Sequence, residues 1–296
     1  MIYRVVHSTR YLYSEKVTLS RNEARLLPRT TPWQEVITSN LAIAPSPTDR
    51  GERCDFFGNH VNHFAVQEPH DELIISATSE IKILPRADQL ELADTLSWEE
   101  ERTRQQLGGS PENFATVPFL HESPLLPELA EVKAYATPSF TPDRPFGTAV
   151  ADLMTRIYTD FSYSPEATTI ATPLRELLKN RSGVCQDFAH VGIACLRAMG
   201  LAGRYVSGYI ETLPPPGQER LVGADASHAW FAAYSSAAGW LDFDPTNNQL
   251  PNTQHITAAW GRDFSDVSPV KGIALGGGQH NIEVAVDVQR IEKSLI

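Results

Sequence analysis

Cys185, His228 and Asp244 follow one another in the second half of the chain, each in a different kind of segment. Cys185 opens a helical run in SGVCQDFAHVGIACLRAMG, His228 lies in the strand-like SHAWFAAY, and Asp244 closes another strand-like run, GWLDFDPT. These types supply a nucleophile, a base and a group that can orient the base, the ingredients of thiol-based acyl transfer. A thiol attacks well only as the thiolate. The unpaired N–H groups and the macrodipole at a helix N-terminus favour that negative charge. Ser182-Gly183 come just before Cys185, and apolar helical spacing runs from Val184 through Phe188, Val191 and Cys195, which puts the thiol in the first turn. The same N–H groups can hold a developing oxyanion.

Other residues of these types fit less well. Taken alone, any free cysteine reads as a small buried hydrophobe. Cys195 keeps that reading, mid-helix among Ile193, Leu196 and Met199, and Cys54 sits near a turn in a β-rich region with no base nearby. His190 is close to Cys185 in sequence, yet five residues along a helix is about 500°, or about 140° round the axis. It therefore points away, and a zinc set of Cys185, His190, His228 and Asp244 fails with it. His228 shares a strand face with Trp230 and Ala232. Asp244 lies 16 residues on from His228 with Gly239 between, a separation that suits two adjacent antiparallel strands. Asp242 lies on the same strand face as Asp244, and periodicity does not choose between them.

Elements to position such a constellation are legible around it. The chain has 296 residues, of which 42% are hydrophobic, enough for about two domains with real cores. Residues 1–90 read as a small β-sandwich-like domain. Leu73, Ile75, Ala77, Ile81 and Ile83 alternate at period two, a similar run spans 36–43, and Phe57-Gly58-Asn59-His60 reads as a hairpin turn. Residues 91–147 read as an ordered connector: a short exposed helix in SWEEERTRQQLGG, recurrent prolines, and Phe114, Phe119, Leu125 and Leu126 in need of burial. Residues 148–296 read as the core. Val150, Leu153, Met154, Ile157, Tyr158 and Phe161 form a helical stripe over 148–161. A second helix starts at Thr172-Pro173 with the proline at its first position, and a third runs from Cys185 to a cap at Gly200. RYVSGYIE, HAWFAAYSS, GWLDFDP and NIEVAVDVQRI then read as strands.

Composition narrows the function classes. A formal net charge of -11 and the lack of a Lys/Arg-rich run exclude nucleic acid as an expected partner. No signal peptide and no run of about 18 apolar residues is read, so no membrane partner is expected. Three cysteines without a CxxC pair support neither a disulfide framework nor a zinc ribbon, and the expected compartment is the cytoplasm.

GVCQDFAH, RYVSGYIE, GADASHAW and GWLDFDPTNN, with FSYSPEATTIATPLRELLKNRSGVC upstream, resemble the bacterial transglutaminase-like proteins of the papain-like cysteine-enzyme superfamily. The N-terminal region resembles the β-rich domain that precedes this core in many bacterial members. The resemblance implies an α+β core, helices followed by an antiparallel sheet or barrel, behind that β domain. It implies Cys185 as nucleophile, His228 as base and Asp244 as the orienting carboxylate. It also implies a cleft flanked by Tyr209, Asp225, Ser227 and Trp230, with core packing the alternative for Tyr209 and Trp230. The expected activity is acyl transfer on peptide or protein amides through a thioester, resolved by an amine or by water. The rival expectation is a non-catalytic peptide- or protein-binding module. No cofactor and no metal is expected, since the calcium sites of animal transglutaminases fall outside the matched blocks and no EF-hand loop is found. Asp187, one turn into the catalytic helix, is expected to be structural.

Overall fold

The computed structural model describes residues 1–85, 91–107, 111–211 and 227–291. Five strands come first: β1 (Ile2–Ala24), β2 (Gln34–Ala44), β3 (Asp49–Cys54), β4 (His60–Val66) and β5 (His70–Ile83). The connector carries α1 (Trp98–Leu107), α2 (Pro111–Thr116) and α3 (Ala130–Ala136). The core follows as α4 (Phe146–Asp160), β6 (Ser162–Tyr163), α5 (Leu174–Asn180), β7 (Ser182–Gly183), α6 (Cys185–Ala198), β8 (Gly203–Ile210), β9 (Ser227–Ser235), β10 (Gly239–Phe243), β11 (His255–Gly261) and α7 (Phe264–Val267). Two strands end the chain, β12 (Val270–Gly276) and β13 (His280–Ile291).

The N-terminal sheet has seven strands, all antiparallel to their neighbours. Its axis is β1, whose pairing breaks between Leu12 and Val17. The first half of β1 lies between β5 and β13, and the second half between β4 and β12. Phe64 and Val66 of β4 pack in one buried cluster with Leu73, Ile75 and Ala77 of β5 and Leu41 of β2. The long strand thus folds the sheet over on itself, sandwich-like, and the period-two face of β5 is its inner layer. The turn expected at 57–60 joins β3 to β4, with Gly58 at φ 75°.

The expected 148–296 core needs one correction in space. NIEVAVDVQRI is a strand, but as β13 it pairs with β1 over Ile2–Tyr13, and β12 pairs with β1 over Val17–Ala24. Pairing between the two ends of a chain leaves no local trace in sequence. The remaining core sheet is antiparallel in the order β10-β9-β8-β11. Helix α6 lies across its middle, close enough that Gly192 leaves only room for the Phe231 ring. Val150, Leu153 and Ile157 of α4, Leu177 of α5 and Val191, Ile193 and Leu196 of α6 share one buried cluster with Phe231 and Phe243.

Smaller expectations also shift. Helix α1 is not simply exposed. Glu101 accepts from Ser235 Oγ at 2.9 Å and Ser236 N at 2.8 Å, and Gln105 bonds Tyr234 O and Ala202 N. Phe119 and Leu126 are buried as expected, whereas Phe114 is exposed, and Tyr158 falls on the solvent side of α4. Pro173 occupies the N-cap of α5 rather than its first turn.

The β domain grips the core sheet at its β11 edge, where an unpaired strand would otherwise present bare backbone groups. Gln34 Nε2 donates to Thr257 O at 2.7 Å, and Thr257 N donates to Gln34 Oε1 at 2.8 Å. Asn59 Nδ2 donates to Trp260 O at 2.8 Å, and Trp260 N donates to Asn59 Oδ1 at 2.9 Å. Two buried side-chain amides therefore stand in for a neighbouring strand. Tyr3, Val5, Ile81, Val286 and Val288 of the β domain close over Tyr209, Ile256 and Ala258 of the core beside them.

Candidate active site

Cys185 is the first residue of α6, where the chain leaves the short parallel pair β6–β7. Asp187 shapes this entry: its Oδ2 accepts from Val184 N at 2.9 Å and from Thr168 Oγ1 at 2.6 Å. Burial raises the Asp187 carboxyl against the lowering effect of those bonds, and its role is a helix cap. Val184 O accepts the N–H groups of Asp187 and Phe188. Cys185 and Gln186 belong to this first turn, where their N–H groups have no acceptor within the helix, and both residues are only partly buried. Tyr163, half exposed on β6, stands at this end. Partial burial and then the charge of Cys185 hold its hydroxyl above the usual range.

His228 begins the buried part of β9, beside Gly208 of β8. Its Nε2 lies 2.8 Å from Asp244 Oδ2, which leaves Nδ1 for the hydrogen bond to Cys185. Burial alone would lower this imidazole. The bonds to Asp244 and Cys185 outweigh burial and push it up to about 10. Asp244 is fully buried. Burial would raise its carboxyl too, but the hydrogen bonds from His228 and His255, the His228 charge and Asn247 hold it well below the usual range.

Five donors converge on that carboxylate. Oδ1 accepts from Thr246 N at 3.0 Å and Asn247 N at 3.3 Å. Oδ2 accepts from Asn247 Nδ2 at 2.7 Å, from His228 and, at 3.0 Å, from His255 Nε2. Asp242, which periodicity left level with Asp244, is buried on β10 opposite Ala232, and the bond to His228 belongs to Asp244.

Sequence reasoning missed His255 and Asn247. Asn247 had a signal, since it closes the Asp-Pro-Thr-Asn turn whose N–H groups fold back on Asp244. His255 had none, because the register of β11 against β8 brings it in. Of the residues expected to flank the cleft, Ser227 is exposed beside His228. Asp225 lies outside the described residues. Tyr209 and Trp230 are corrected: both are buried, with no face open to a substrate. The Tyr209 hydroxyl meets His7 Nδ1 at 3.1 Å under the β domain, and the Trp230 ring meets His255 edge-on at 5.2 Å. Tyr209 packs among β-domain residues, whereas Trp230 lies on the opposite face of the sheet with Val206 and Ala232.

The ligand atoms of His228, Asp244 and His255 lie within 4.8 Å of one another, close enough to consider a metal ion. The hydrogen-bond pattern speaks against one. Asn252 N donates to His255 Nδ1 at 3.4 Å, so the neutral ring carries its hydrogen on Nε2, where a metal would need a lone pair. His190 is not near this group. Its Nε2 accepts from Phe264 N at 3.2 Å on the far side of α6. Cys195 is buried, and burial pushes its thiol up to about 12, while Cys54 is exposed on β3.

Comparison with known proteins follows this architecture. Residues 3–82 match the bacterial transglutaminase-like N-terminal region, and residues 133–245 match the transglutaminase-like superfamily. An uncharacterized protein of Mycobacterium tuberculosis (strain H37Rv) is 42% identical over 298 residues, 98% of this chain and 93% of its own length. Protein-glutamine gamma-glutamyltransferase of Pseudomonas aeruginosa is 34% identical over 99 residues, 31% of this chain and 15% of its own. Among solved structures, a presumed cysteine protease from Cytophaga hutchinsonii superposes with a TM-score of 0.76 at 20% identity, covering 100% of this chain and 92% of that one. That last likeness is one of fold. Among the described residues, no helix is long and apolar enough to cross a membrane.

Proposed function

The chain belongs to the transglutaminase-like superfamily, and from that premise we propose that it is a cysteine-dependent acyl-transfer enzyme acting on the amide bonds of peptides or proteins. One observation carries this reading: a thiol at a helix N-terminus, bonded to an imidazole whose other nitrogen is held by a fully buried, five-fold hydrogen-bonded carboxylate. A merely structural histidine has no use for so strongly held a proton.

The reaction proceeds in two halves. The Cys185 thiolate attacks the amide carbon, and the oxygen's new charge is met by the N–H groups of Cys185 and Gln186. The C–N bond breaks as His228 passes its proton to the leaving nitrogen, which leaves a thioester and a neutral imidazole. His228 then takes a proton from water or from an acceptor amine as that group attacks the thioester, and the C–S bond breaks to return the Cys185 thiolate. Water gives hydrolysis; an amine gives cross-linking. Asp244 keeps the imidazole in the tautomer that faces the thiol and stabilises its charged form. The same chemistry asks for a reducing compartment such as the cytoplasm, where Cys185 stays a free thiol.

The test is alkylation followed by trapping. Iodoacetamide near neutral pH should label Cys185 far faster than Cys54, although Cys54 is the more exposed. A peptide library with and without primary amines should then yield an acyl-enzyme by mass spectrometry and reveal the acceptor. Equal, slow labelling and no acyl-enzyme would leave the non-catalytic binding module as the function.

A further inference from the structure

His255 is the first residue of β11, and its side chain is wholly buried. Everything around it defines one state. Its Nδ1 accepts from the backbone of Asn252, so Nε2 carries the hydrogen and donates it to Asp244 Oδ2. The indole of Trp230 meets the ring edge-on, and the His228 ring lies 6.0 Å away. The charged groups that act on it are Asp244 and Asp242 on the β10 side and His228 on β9. Burial, reinforced by the His228 charge, lowers this imidazole against the pull of the two carboxylates. It therefore stays neutral while its neighbour is charged.

Two imidazoles thus share one carboxylate oxygen. The second is not needed to hold the carboxylate still, because Oδ1 is pinned by two backbone N–H groups and Oδ2 by Asn247. What His255 changes is how much of Oδ2 is left for His228. A lone pair shared with a second donor is a weaker acceptor for the first, and low dielectric makes that competition strong. A general acid works best when it holds its proton only as tightly as the operating pH requires. An unshared buried carboxylate would hold it too tightly.

We propose that His255 is a positioning residue that moderates the grip of Asp244 on the proton of His228, setting the acidity with which that imidazole serves the acyl transfer. The proposal rests on the catalytic reading of Cys185 and His228, but its test does not require turnover. The His228 ring is titrated by NMR in the full chain carrying Cys185→Ala, which removes the thiolate's share. His255→Leu and His255→Gln are then compared in that background. Leu deletes the donor, and the midpoint of His228 should rise by about half to one pH unit, the size of one neutral hydrogen bond. Gln restores an N–H donor and should bring the midpoint back. A midpoint that stays put or falls in His255→Leu overturns the proposal, since loss of structural support alone would loosen the pair and lower it. Should the Leu chain not fold, nitrogen shifts of His255 in the parent chain decide instead. A neutral ring with hydrogen on Nε2 throughout pH 5–9 is expected, and a charged ring or one with hydrogen on Nδ1 refutes it. Failure to trap an acyl-enzyme would count against the catalytic reading alone and leave the His228 midpoint to be judged separately.

Discussion

Asp244→Asn puts the site under the sharpest strain. The carboxylate oxygens face five donors, and an amide must turn its NH2 toward two or three of them. The less costly orientation places NH2 against the backbone N–H groups of Thr246 and Asn247. Two partly exposed backbone donors then lose their acceptor, and because water can reach them the stability loss should be about 1–3 kcal/mol in all. In either orientation the neutral amide no longer stabilises the charged imidazole, and the other orientation also turns NH2 toward His228 and favours the tautomer with hydrogen on Nδ1, which cannot take the thiol's proton. The serine-protease precedent for that error is about 10⁴-fold in turnover, and a loss of about 10³–10⁴ is expected here.

The pH signature carries the sign. His228 stands near 10 when folded, against an ordinary value of 6.5. The folded state therefore binds this proton more tightly than the unfolded chain does. The resulting stabilisation is fully present below pH 6.5 and is lost as pH rises towards 10. The gap in urea midpoint between parent and variant should narrow across that window. Amide-donor turnover and urea unfolding at pH 6 and pH 9.5 measure both effects. Turnover above a tenth of the parent's, or a gap that does not narrow with pH, would refute the assignment of Asp244.

Four further outcomes are expected. Cys185→Ala should abolish selective alkylation and acyl transfer, whereas Cys195→Ala should leave both intact at a stability cost of about 1 kcal/mol, read by thermal unfolding. His228→Ala should lower turnover nearly as far as Cys185→Ala, because the thiol loses its proton acceptor and the leaving amine its acid. Asp242→Asn should reduce turnover less than Asp244→Asn in the same assay, since the bond to His228 is made by Asp244. Gln34→Leu, far in sequence from the catalytic residues yet bonded to β11, should lower unfolding stability by about 2–5 kcal/mol in urea titration, because Thr257 N and O both lose their side-chain partner.

The sequence disclosed the parts of the site that local pattern encodes. A small-residue turn before apolar helical spacing placed Cys185 at a helix start. The 16-residue hairpin interval set His228 beside a strand carrying both Asp242 and Asp244, the resemblance chose Asp244, and the structure bonds His228 to Asp244 and to Cys185. What stayed hidden depends on pairings between distant segments. The resemblance set Tyr209 and Trp230 beside the cleft, but only the folded packing shows Tyr209 enclosed by β-domain residues and Trp230 enclosed by Val206 and Ala232 on the other sheet face. His255 sat in an unremarkable run, and only the β8–β11 register gives it a place at Asp244. The alternation of NIEVAVDVQRI announced a strand without naming its partner, and the partner is at the other end of the chain.

That pairing has a consequence for how the molecule comes into being. Residue 2 sits opposite residue 291, so β1 leaves the ribosome long before its neighbours β12 and β13. The hairpins of the first 83 residues and the whole thiol-bearing core can form while one long margin of β1 still waits for a mate. Contacts of such separation are slow to find, and an open strand margin invites any other chain that offers one. The half-made protein is therefore most exposed to misassembly in the interval before β12 and β13 are made, and their closure on β1 is what ends that exposure.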